Sequence, residues 1–225
     1  MNLGSVKSRI TKLLRKYLPS SQQQANTLVP DSLKSGKLYE VYVLGLIAKE
    51  LTEKEGCQLK LINSNKVRLK ASPGPINSSF PHIEVWKNGQ HKGDIWTDVE
   101  FVALSHSLSG VSTDPNRGQY HELDIVLVPP GTIDRPAAKD IYLAVECKNT
   151  GYQKNLLREI LGVRRELSLY RSKPEEDTQF SNWPNPTVPA HPASCLLVYS
   201  TDSKVHDFED PGSIFGIKFY YEPLP

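Results

Sequence analysis

The chain reads as an α/β protein, with a mixed central sheet flanked by helices in the order helix, several strands, helix, strand. Three observations predict it. Two long segments carry apolar residues at helical spacing. Short alternating or continuously apolar runs of strand length lie between and after them. Gly/Pro/Asn/Ser clusters separate these runs. With 225 residues, 38% of them hydrophobic and 23% charged, the chain suits one sizeable domain with elaborations.

The elements follow in order. "SVKSRITKLLRKYL" (5–18) places Val6, Ile10, Leu13 and Tyr17 on one helical stripe, with Lys12 and Arg15 opposite. This short N-terminal helix suits docking on the body, pairing with a partner, or lying on phosphates. Pro19 and "SSQQQANTLVP" end it as a linker, so residues 1–30 form a basic helix and linker and 31–225 a single domain. "DSLKSGKLYEVYVLGLIAKELTEKEG" (31–56) predicts a longer helix, with Asp31 or Ser32 as N-cap and Gly56 as stop. "CQLKLIN", "KVRLKAS", "HIEVWKNG" and "DIWTDVEFVALS" read as extended, and a hairpin within about 58–90 decorates the core. "YHELDIVLVPPG" (120–131) and "DIYLAVECKN" (140–149) are strands, and "YQKNLLREILGVRRELSLYRS" (152–172) is a helix. A Pro-rich loop (173–192) precedes two last strands, "ASCLLVYSTD" and "GIKFYYEPLP".

Charge is uneven although the net is only +2. The first 70 residues hold 13 Lys/Arg against 5 Asp/Glu, and the remainder 14 against 20. A basic third beside an acidic remainder suits either a polyanion footprint or a solvated helix face. No apolar run approaches a membrane span, and no secretory signal is visible. Cys57, Cys147 and Cys195 are odd in number and lack metal-ligand spacing, which predicts reduced thiols in a cytoplasmic protein.

Acids stand where apolar residues belong. At about 100° per residue, Leu33, Leu44, Ile47 and Leu51 all fall within about 40° of Glu40, so Glu40 occupies the buried stripe. A buried carboxylate needs a cationic partner or a metal. In "HELDIVLV", alternation groups Leu123, Ile125 and Leu127 on one face and Glu122, Asp124, Val126 and Val128 on the other. Asp124 thus interrupts a strand that is otherwise apolar on both faces, where Asp is disfavoured. In "DIYLAVECKN", Tyr142, Ala144, Glu146 and Lys148 share a face, and Glu146-Cys147-Lys148 is the only Glu-x-Lys in the chain. Asp98 and Glu100 share a face of the preceding strand and are expected to be solvated.

The order Glu40 on a helix, Asp124 on a strand, and Glu146 and Lys148 on the next strand resembles the PD-(D/E)xK nucleases, the restriction-endonuclease-like superfamily. The resemblance covers roughly residues 31–200. It departs from the usual pattern in having Leu123 where proline commonly precedes the aspartate, and in the long segment before Asp124. It implies an αβββαβ core and metal-dependent hydrolysis of a nucleic-acid phosphodiester. Glu40, Asp124, Glu146 and Lys148 would be the catalytic residues. Asp124, Glu146, Glu40 and the backbone carbonyl of Cys147 would hold Mg²⁺, with Mn²⁺ as a substitute, since hard cations take oxygen ligands. Lys148 would stand beside the attacking water and the phosphate.

The helix that follows has Leu156, Ile160, Val163, Leu167 and Tyr170 as its apolar stripe, and Lys154, Arg158 and Arg165 opposite. That basic face suits a phosphate backbone as well as plain solvation. Tyr152 and Gln153 are placed to reach a substrate, and Glu122 and His121 flank Asp124 as lesser candidates. Trp183 is expected to staple the Pro-rich loop to the body. The leading expectation is a DNA endonuclease of restriction or mobile-element defence type, with RNA left open as substrate. A homodimer would serve double-strand cutting, and a partner subunit would supply specificity. The competing expectation is a nuclease-fold binding or assembly subunit without cleavage.

Overall fold

The computed structural model describes residues 3–18, 29, 35–64, 67–70, 72–110, 113–170, 182–184 and 188–225. The linker and the Asp31/Ser32 N-cap expected from the sequence lie outside the described residues, apart from Leu18 and Val29. A seven-stranded sheet carries the molecule. Strands β1 (Gln58–Ile62), β2 (His82–Lys87), β3 (Gln90–Val102), β4 (Tyr120–Val128) and β5 (Leu143–Lys148) run antiparallel, each beside the next. β8 (Cys195–Ser200) then pairs parallel to β5, and β9 (Ile217–Tyr221) parallel to β8. A two-stranded ladder, β6 (Leu169–Tyr170) with β7 (Ala190–His191), stands apart.

Helices α1 (Leu3–Tyr17) and α2 (Ser35–Glu55) cover one face of the sheet, and α4 (Lys154–Leu167) the other. Short α3 (Leu104–Leu108) and α5 (Glu209–Ser213) fill corners. Two apolar cores result. The first joins Ile10 and Leu14 of α1, Leu44 and Ile47 of α2, and Val145 of β5. The second joins Ile160 and Leu167 of α4 to Trp96, Val126 and Val198. None of the described helices is long and apolar enough to cross a membrane.

The N-terminal helix takes the docking role. Val6, Ile10, Leu14 and Tyr17 are buried against α2, and Lys12, Arg15 and Lys16 stay exposed. The helices approach closely because α2 carries glycine at the contact: a Cβ on Gly45 would stand 2.8 Å from Leu13 Cδ2. The β2–β3 hairpin turns at Asn88-Gly89, both at positive φ (52° and 74°), the signature of a type I′ turn.

Three expectations are corrected. "KVRLKAS" forms no strand among its described residues; the chain there makes only isolated bridges at Gly74 and Ile76. The second long helix ends at Leu167 rather than 172, so Tyr170 lies in β6 and is 69% exposed instead of joining the stripe. In its first turn Leu157, not Leu156, is the buried leucine. Trp183 does staple its loop: it is buried in the first core.

Candidate metal centre

Helix α2 contributes the first two charged groups. It is buried almost all round, because α1 covers one side and the sheet the other. Glu40 is 9% exposed within this packing. Lys37, one turn earlier, donates to Glu40 Oε2 at 2.8 Å and also to Asp98 Oδ1. Those bonds draw a carboxylate of β3 to the helix.

Asp98 and Asp124 face each other across β3 and β4. Thr97 pairs with Ile125 and Val99 with Leu123, so the two aspartates fall opposite by register. Both strands break their alternation there. Ile95 lies in the α2-side core, yet Val99 and Phe101 join Trp96 in the α4-side core. Leu123 likewise joins Val126 and Val128, while Ile125 and Leu127 face α2. This corrects the grouping of Leu123 with Ile125 and Leu127. The local cause on β3 is Asp98 itself, at φ 53°, a left-handed conformation that Asp tolerates better than β-branched neighbours. Asp98 is consequently 2% exposed, not solvated. Oxygens of Glu40, Asp98 and Asp124 all come within 4.8 Å of one another.

Strand β5 adds the Glu-x-Lys pair. The β4–β5 ladder stops at Ile125↔Val145, and the next N–H on that edge, of Cys147, donates to Asp124 Oδ2 at 2.6 Å. The Cys147 carbonyl points to the same strand edge, as N–H and C=O of one β residue do. Glu146 and Lys148 remain tied to β8 through the Val198 and Ser200 positions. Lys148 Nζ lies 2.9 Å from Glu146 Oε2 and 2.8 Å from Glu159 Oε1 of α4. Where β4 and β5 part, a pocket of about 380 Å³ opens, lined by His121, Glu122, Asp124, Glu146, Lys148 and Glu159 among others.

These acids are held against their preference for water. Burial, with Asp124 and Asp98 adding to it against the opposing pull of Lys37, pushes Glu40 up to about 7. Burial, then the charge of Asp124, pushes Glu146 up to about 8 despite Lys148. Burial also raises Asp98 and Asp124. Burial alone would lower Lys148, but Glu146 and Glu159 outweigh it and raise it. Crowded, desolvated carboxylates of this kind favour an added positive charge.

Each sequence-predicted residue can now be placed. Asp124 belongs to two groups: it converges with Glu40 and Asp98 on the α2 side, and it lines the pocket with Glu146 and Lys148, whose lining does not include Glu40. The tightest carboxylate group is Glu40–Asp98–Asp124, with Glu146 engaged by Lys148 beside it. Lys154, Arg158 and Arg165 are all exposed on α4. Glu122 is exposed and His121 half-buried. Tyr152 does not reach outward: it is 2% exposed and packs against Phe208 and Phe219, so a substrate role for it is withdrawn. Gln153 is exposed at the start of α4. Glu100 is half-buried and paired with Arg135 at 2.7 Å.

The donor set is all oxygen, which suits a hard divalent cation such as Mg²⁺ or Mn²⁺ and not a thiolate-seeking one. Cys147 gives its backbone N–H to Asp124, and its thiol is not part of the carboxylate group. Within this cluster, and among the described residues, Asp98 Oδ2 is a buried oxygen that accepts no hydrogen bond. Comparison with family models, with curated proteins and with solved structures returns no match for this chain.

Proposed function

We propose that the chain hydrolyses nucleic-acid phosphodiesters with the help of a divalent cation, as a DNA endonuclease of restriction or mobile-element defence type. One observation carries the reading: carboxylates from α2, β3 and β4 converge at Asp124, which also lines an open polar pocket with the Glu-x-Lys pair. The order α2, β3, β4, β5, α4, β8 supports a restriction-endonuclease-like core. Asp124 and Glu40 would hold the ion, with Glu146 and the Cys147 carbonyl on its pocket side. Bound there, Mg²⁺ supplies the Lewis acidity that phosphodiester hydrolysis requires.

Lys148 acts through its charge. Glu146 and Glu159 raise its pKa, which keeps it an ammonium at neutral pH before any cation binds. Its ammonium stands in the pocket where it can orient the attacking water and neutralise charge developing on the phosphoryl oxygens. Lys154, Arg158 and Arg165 offer an exposed basic face for the nucleic-acid backbone, whose binding would weaken with salt. Double-strand cutting calls for a homodimer, and sequence specificity for a partner subunit.

One observation favours the second reading, a binding or assembly subunit without cleavage: Lys37 already places a cation against Glu40 and Asp98. Incubation of plasmid DNA with the protein and Mg²⁺ or Mn²⁺ separates the two. Cleavage by the wild type, reduced roughly 10²–10³-fold in Asp124→Asn and in Lys148→Ala, is expected. Intact DNA together with no Mn²⁺ binding by calorimetry would overturn the enzymatic reading.

A further inference from the structure

Three carboxylates meet at the α2–β3–β4 junction, and among the described residues one ammonium bonds two of them. Lys37 Nζ reaches Glu40 and Asp98. Asp124 takes its hydrogen bond from the Cys147 N–H instead. Lys70 stands nearby, but its ammonium is spent on backbone carbonyls of Gly74, Pro75 and Asp98, the last at 3.4 Å. The Asp98 side chain is almost wholly buried, and its second oxygen accepts no hydrogen bond from the described residues. A buried carboxylate oxygen left unpaired is costly, and proteins retain such groups where a ligand satisfies them.

Resting on the metal-dependent reading above, we propose that Asp98 is a third carboxylate ligand and that Lys37 is a resident counter-ion, displaced when a divalent cation enters. Lys37 is suited to leave. It sits in the first turn of α2, its side chain is 29% exposed, and its four-carbon stem lets the ammonium swing to water. Asp98 is suited to stay. Its φ of 53° fixes the carboxylate on the α2 side of the sheet, opposite Asp124. Oxygens around one Mg²⁺ lie about 3 Å apart. The three groups, now within 4.8 Å, reach that spacing through small side-chain rotations. The lysine therefore keeps the acids together without metal and sets a threshold that metal must overcome.

Titration of Mn²⁺ into apo protein, followed by the electron paramagnetic resonance signal of free Mn²⁺ and by calorimetry, tests this without any substrate. Lys37→Met is expected to bind Mn²⁺ roughly tenfold tighter than wild type, the worth of about one charge-assisted hydrogen bond no longer broken. Lys37→Arg, which keeps the charge, is expected to bind no tighter than wild type. Asp98→Asn is expected to bind at least roughly tenfold more weakly. Asp98→Asn also keeps the proposal open to refutation if Lys37→Met fails to fold. Equal or weaker binding by folded Lys37→Met overturns the counter-ion role, and unchanged binding by Asp98→Asn overturns the ligand role. If wild type binds Mn²⁺ and Asp124→Asn does not, the metal-dependent reading survives either refutation. If wild type and Lys37→Met both bind none, that reading falls as well.

Discussion

Two buried glutamates on one helix, Glu40 and Glu55, are treated in opposite ways. Glu55, at the end of α2, is 5% exposed. Its Oε2 takes the Lys87 ammonium at 2.5 Å, and its Oε1 takes the N–H groups of Asn182 and Trp183. Burial would raise its pKa, but Lys87 and the two N–H groups outweigh it and lower it. Glu40 is buried to a similar degree but has one lysine, shared with Asp98, and burial together with the charges of Asp124 and Asp98 raises its pKa. Burial alone does not separate these two glutamates. The number of donors supplied to each oxygen does.

Substitutions can break or sharpen that contrast. The largest effect on stability is expected from Glu55→Gln, which leaves Lys87 without its counter-charge and one side of the Trp183 staple weakened. It should cost about 3 kcal/mol and lower the melting temperature by roughly 6–10 °C near neutral pH, read by calorimetry. Because the Glu55 pKa is lowered on folding, its contribution is present above the unfolded value near 4.5 and is lost as pH falls through the folded value. The two proteins should therefore converge in stability under acid, and a constant gap down to pH 2 would show that packing, not charge, is what was lost.

Glu40→Gln is expected to act in the reverse direction. A carboxyl raised to about 7 destabilises the fold when ionised, so the variant should gain about 2 kcal/mol at pH 8. The gain should shrink as pH falls through 7 and vanish below about 4.5, where the acid is protonated in both states. Loss of stability in this variant at pH 8 would mean that Lys37 satisfies Glu40 after all. Smallest is Glu53→Gln, on the same helix but exposed, where Tyr17 and Lys16 are its partners. No resolvable change in melting temperature is expected there, since exposed pairs contribute little.

Periodicity made part of the site legible. Glu40 interrupted a helical stripe, Asp124 an apolar strand, and Glu146-x-Lys148 shared a face because side chains alternate. Asp98 was missed for the same reason: strict alternation placed it beside Glu100 on a wet face, whereas its own left-handed backbone turns it inward. The available signal was chemical. Asp98 follows Ile95, Trp96 and Thr97 and precedes Val99, in a run with no other reason to hold a residue that tolerates positive φ. Lys37 could have been noticed as the i,i+3 partner of Glu40. The early end of α4 was not legible, because Leu169 and Tyr170 continue the helical period although Ser168 is already extended.

Asp124 and Glu146 also sit on opposite banks of a seam. Eight residue pairs join β3 to β4, and six join β5 to β8, but only three join β4 to β5. The antiparallel half of the sheet carries Asp98 and Asp124, and the parallel half carries Glu146 and Lys148. Past Ile125↔Val145 the Asp124–Cys147 bond is the stitch that crosses this seam. The span between Asp124 and Glu146 is thus set by how far the two halves of the sheet stand apart where the ladder ends, and a single backbone N–H is what pins that edge.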